Sequence, residues 1–180
     1  CGSFVDAIPR EPAFEGPQEL MVPWPCPTLP LLQIAYRGPA YTDTAKDSAA
    51  LDIISYLAFS PSSPLYEKLV LQEQLCDHFH GYCADHADPF LYLVHARLKN
   101  PAHAAPVRAA VEATFNELRT QPVEVERLER VKSHLRYAFA MGMNESEAIA
   151  GVIARYVALR RTPETINALY CLLYTSDAAD

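Results

Sequence analysis

Glycine is scarce in this sequence: six residues in 180, and they are scattered. That excludes a glycine-rich loop able to cradle phosphates, because such loops need several glycines within a few residues. Positive charge is also in the minority. Fifteen Lys and Arg against 22 Asp and Glu leave a formal charge of −7. An acidic chain of this kind argues against a nucleic-acid surface or an anionic membrane surface, both of which require excess cations. No apolar run has the roughly 20 residues a membrane-spanning helix needs, and no signal peptide is visible. The five cysteines, Cys1, Cys26, Cys76, Cys83 and Cys171, are odd in number and irregular in spacing. They read as isolated thiols rather than a disulfide framework.

The chemistry-bearing patterns are thin as well. The six histidines are His78, His80, His86, His95, His103 and His134. None lies four residues from another, so the paired-His helix of a zinc peptidase is absent, in both His-Glu-x-x-His and the inverted His-x-x-Glu-His form. Ser60, Ser62 and Ser63 sit in a proline-rich turn rather than a Gly-x-Ser-x-Gly elbow, and helix capping is the expected role. Glu124, Glu126 and Glu129 read as a solvated helix face. One cluster stands out: Cys76, His78 and His80, with Cys83 and His86 nearby. On a regular strand the first three would share a face and offer zinc-type ligands. No Cys-x-x-Cys knuckle and no second ligand pair accompany them, so polar residues on a half-exposed strand are the simpler expectation.

What remains is an ordinary globular composition, 50% hydrophobic and 21% charged, at the length of one domain. The opening on Cys1 reads as an arbitrary fragment start. Six prolines fall within residues 1–28 and Pro30 follows, so this stretch is expected to be an extended linker, with Met21–Trp24 as a brief edge strand at most. Leu31–Tyr36 reads as a buried strand. A helix from about Ala45 presents Ala50, Ile53, Ile54 and Leu57 on one face. Ser63-Pro64 starts the next helix, which carries Leu65, Leu69 and Leu71. Cys76–Tyr82 and Phe90–Leu98 read as two strands, a β-hairpin or an adjacent antiparallel pair, with Tyr92, Val94 and Ala96 alternating with Leu91, Leu93 and His95.

The rest is helical. Pro106 opens a helix with Val107, Ala110, Val111, Phe115 and Leu118 inward. Pro122 opens another, with Leu128, Val131, Leu135 and Ala138. Asn144 and Glu147 resemble a capping box, ahead of Ile149, Val152, Ile153 and Tyr156. Thr162-Pro163-Glu164 starts a last helix, and Tyr156 and Tyr170 are expected to pack in the core. The fold class is therefore α/β, in the two-layer α+β sense: an antiparallel-rich sheet packed on several helices. The final stretch, 171–180, continues no pattern and resembles translated adapter sequence, which makes it a non-native tail on a domain of 29–170 truncated at its C-terminus.

The order of these elements, over about residues 18–170, resembles the second domain of one half of an insulinase-type (pitrilysin-family) metallopeptidase. The resemblance is carried by Asp47–Ile54, Ser60–Gln74, Phe90–Arg97, Pro122–Tyr137 and Arg160–Asn167. It implies a fold shared with processing peptidases and a non-catalytic role. Zinc would be bound outside this chain, by an N-terminal domain bearing His-x-x-Glu-His. The implied partners are that domain, a second half or subunit that closes the chamber, and the peptide substrate. Bacterial members with proline-rich linkers are often exported, which favours a periplasmic setting.

One departure is informative. The family's substrate-holding Arg and Tyr, seven residues apart, would fall on Val70 and Asp77. Neither residue matches: Val70 cannot bind a carbonyl, and Asp77 brings the wrong charge to a developing oxyanion. Tyr66 occupies the aromatic position of the same helix and is the remaining substrate-binding candidate. Two further roles are compatible with these residues. One is an inactive structural or assembly homologue of the same fold. The other is an independent zinc protein using Cys76, His78 and His80.

Overall fold

The computed structural model describes residues 12, 15–42, 44–160, 162–167 and 171. Tyr170, Cys1 and nearly all of the expected tail lie outside these residues.

Pro30 ends the extended N-terminal stretch, and β1, Leu31–Arg37, begins at once. The hairpin strands are β2, Cys76–Cys83, and β3, Leu91–Leu98. The three make one antiparallel sheet in the order β1-β3-β2, so the clearest strand of the sequence is the central one. The expected alternation is incomplete, because Leu93 on the other face is buried as well; Tyr92, Val94, Ala96 and Leu98 are buried beneath helices. Opposite them in register lie Tyr36, Ile34 and Leu32 of β1. Met21–Trp24 adds no strand. Met21 and Trp24 stay exposed, since Pro23 and Pro25 interrupt the row of donors a strand must supply.

Helix α1, Asp47–Phe59, lies over β2 and ends with Leu57, Ala58 and Phe59 buried. Its inward face is rotated from the expected stripe, since Ala50 is exposed while Ala49 is buried. Ser63 caps α2, Pro64–Tyr66, by accepting a hydrogen bond from the Tyr66 N–H at 3.1 Å. α2 runs directly into a π-helical segment, Glu67–Gln72. Leu65 and Leu69 face inward, but Leu71 is exposed. Gln74 then takes φ 50°, left-handed and unusual for a side chain. Replacing it with glycine relieves that cost, so Gln74→Gly is expected to stabilise the chain by about 0.5–1 kcal/mol in urea unfolding.

Helix α3, Ala104–Thr120, follows a 3₁₀ turn capped by Asn100 and starts before Pro106, which sits harmlessly in its first turn. Val107 and Val111 are fully buried. The main core thus lies between one sheet face and α1, the 64–72 helix and α3. It is centred on Phe59, Leu69, Phe79, Val94 and Leu98.

Helix α4, Val125–Met141, packs against α1, and α5, Ser146–Arg160, comes next in the chain. On α4, Val131 is buried but Ala138 is not. Sequence pattern also missed the burial of Lys132, which pairs with Glu129 at 2.8 Å. Asn144 does not cap α5. It turns its amide to the Met141 Sδ, and the first helical bond runs from the Ile149 N–H to the Glu145 carbonyl. Of the apolar residues expected on α5, Tyr156 is buried, while Ile149 and Ile153 are exposed. Tyr156 joins Tyr41 and Ile166 in a second, smaller core.

Candidate functional site

The outer face of the sheet carries the polar residues singled out by the sequence, but a bulge rearranges them. Cys76 opposes Leu98 and His78 opposes Arg97, so Asp77 is the extra residue between them. The bulge separates the expected Cys-His-His trio. Cys76 is fully buried on the core side, its thiol directed at the Leu69 carbonyl, and burial pushes that thiol up to about 11. His78 and His80 stand on the outer side with ring centroids 4.7 Å apart.

They are joined there by a residue the trio omitted. His95 lies directly across from His80, stacked at 5.0 Å with the ring planes 5° apart, and Tyr82 stacks on both. Strand alternation held the clue, because His95 falls on the face opposite Tyr92 and Val94. Desolvation holds His80 and His95 below the usual histidine range, helped by the neighbouring His78. They therefore stay neutral near pH 7.

This arrangement does not suit zinc. Imidazole lone pairs lie in the ring plane, so two stacked, near-parallel rings cannot aim at one ion. Among the described residues no group of three His, Cys, Asp or Glu is placed to hold a metal.

Asp77 is engaged elsewhere. Arg97 grips it with two hydrogen bonds, Nε to Oδ1 at 2.7 Å and a terminal nitrogen to Oδ2 at 3.0 Å. That bidentate contact is the main cause of a carboxyl held below its usual range. The negative charge read from the sequence is thus matched within the sheet. Val70 is half-buried against the main core, within the π-helical segment. Tyr66 packs against the same core. None of Tyr66, Val70 and Asp77 combines with another into a catalytic constellation, and Ser60, Ser62 and Ser63 stay in their turn, where Ser60 and Ser62 hydrogen-bond to each other.

Fold and site together define an α+β domain, one three-stranded antiparallel sheet packed on helices, with no group of three metal ligands among its described residues. The chain belongs to the Peptidase M16 inactive domain family, whose model matches residues 7–135. Among solved structures it is similar to a protease from Helicobacter pylori (22% identity, TM-score 0.69), covering 79% of this chain and 34% of that one. It is also similar to the inactive peptidase domain of a protein assigned as a zinc protease in Bordetella parapertussis (20% identity, TM-score 0.68; 85% and 82% covered). A chain of Complex III2 from Candida albicans has the same fold (14% identity, TM-score 0.65; 83% and 37% covered). The chain therefore spans about a third of the Helicobacter protease. No curated protein sequence matches it. No helix among the described residues is long and apolar enough to cross a membrane.

Proposed function

We propose that this domain is the non-catalytic part of a zinc metalloendopeptidase, shaping the peptide chamber and docking the half that closes it. The observation that carries this reading is the inactive-domain match over residues 7–135. The lack of a metal-competent cluster among the described residues is compatible with it. Zinc and the catalytic base then belong to a companion domain encoded upstream in the same gene, and an exported location is part of the same proposal. A second reading, an inactive assembly module, draws on the likeness to a Complex III2 chain.

One experiment separates the two. The full-length gene product is purified, its zinc is measured, and cleavage of an unstructured peptide is followed with and without a chelator. A zinc peptidase is expected to carry about one metal per chain in a site of His-x-x-Glu-His type and to lose activity to the chelator. A full-length protein with no such motif and no zinc overturns the peptidase reading in favour of the assembly module. Added zinc is not expected to be retained stoichiometrically by the 180-residue chain alone.

A further inference from the structure

The outer face of the sheet gathers imidazole rings at the seam between two strands. His80 of β2 and His95 of β3 are register partners, stacked 5.0 Å apart and 5° from parallel. His78 lies edge-on to His80 at 4.7 Å. Tyr82 adds its ring to the stack, 5.7 Å from His80 and 5.6 Å from His95. The seam is the only strand pairing that β2 makes, because the sheet order is β1-β3-β2.

Two ring nitrogens at this seam lack partners. His80 Nδ1 and His95 Nε2 are shielded from solvent and make no hydrogen bond among the described residues. A neutral imidazole can leave one nitrogen as a bare lone pair, whereas an imidazolium carries an N–H on both. Protonating either ring therefore buries an N–H with no acceptor, which is costly. Protonating both also places like charges on parallel rings 5.0 Å apart. That separation is shorter than the Debye length of about 8 Å at physiological salt, so ions screen the repulsion only in part.

We propose that His80 and His95 form an acid-operated switch in the sheet, holding β2 to β3 while both rings are neutral and loosening that edge when they are protonated.

The groups that face the pair do not offset this charge. Gln33 of β1, opposite His95, is uncharged. Arg97 of β3, opposite His78, is itself a cation. The carboxylate next to His78 is Asp77, and Arg97 already holds it through two hydrogen bonds. The helices of the main core lie against the other sheet face, with Phe79, Val94 and Ala96. Desolvation first, then the neighbouring imidazoles, holds His80 and His95 below the usual histidine range. A histidine depressed in this way binds fewer protons in the closed sheet than in the opened one. Acid therefore favours the opened edge, and the seam weakens as pH falls below the ordinary histidine value of about 6.5.

Hydrogen exchange on the 180-residue chain tests this, with protection factors corrected for intrinsic rates at pH 8 and pH 5. Protection of β2 is expected to fall toward pH 5 by up to about tenfold per pH unit for each linked proton, and to fall further than that of α3. His95→Gln is expected to flatten the fall in β2, and so is His80→Gln, which removes the other ring. In His95→Gln the NMR titration midpoint of the His80 ring is expected to rise. Equal loss of protection in β2 and α3 of the wild type overturns the switch. So does a wild-type pH response in either variant, or an unchanged His80 midpoint in His95→Gln.

Discussion

Phe59→Ala is expected to cost about 3–5 kcal/mol of unfolding free energy, read as a lowered urea midpoint with an unchanged slope. Phe59 is only 2% exposed and sits where the last turn of α1 meets the sheet. Its ring touches Phe79 of β2 at 5.6 Å, Tyr92 of β3 at 6.2 Å and Phe115 of α3 at 5.4 Å, in tilted or edge-on geometry. Truncation removes apolar burial and three aromatic contacts at once, and leaves a cavity bounded by rings that cannot easily collapse into it. Domains of this size have about 5–15 kcal/mol in total, so the variant is expected to sit near its folding threshold. A cost below about 1 kcal/mol would show that Phe59 is not the hub of this core.

Gly81→Ala is expected to destabilise the chain by about 1–3 kcal/mol, although it adds a single methyl group. A Cβ at Gly81 would lie 2.5 Å from the Phe59 Cδ2, 2.8 Å from its Cγ and 3.0 Å from the Tyr92 Oη. The constraint is steric, since Gly81 is absent from the residues of left-handed backbone. Because the clash is with Phe59, the two positions are coupled. Combining Gly81→Ala with Phe59→Leu is expected to cost less than the sum of the single changes, measured as a double-mutant cycle in urea. Strict additivity would place the source of the glycine requirement elsewhere.

These two residues also mark what could be read from the chain. The periodicity of α1 announced an amphipathic helix, but its inward face was set one residue away from the expected stripe, with Ala49 rather than Ala50 buried. Gly81 carried no local signal, since its requirement comes from a ring 22 positions earlier in the chain. The candidate site divides in the same way. The lack of a paired-His helix was visible directly in the sequence. The fate of Cys76, His78 and His80 was not, because one extra residue, Asp77, flips Cys76 to the other face of the strand. The Asp77–Arg97 grip and the His80–His95 stack each join residues fifteen or more positions apart.

By itself the sequence determined the class of elements and their order, and it showed that no paired-His zinc motif is present. Those properties depend on residues within one turn or one strand of each other, where periodicity, proline and capping act locally. Only the tertiary structure decided which face each chemical group occupies and what opposes it. It placed Asp77 against Arg97, stacked His95 on His80, buried Lys132 and set Arg155 and Tyr156 of α5 against Asp85. Such pairings depend on strand register, a bulge and helix packing, which are set by the fit of the whole core rather than by any one segment.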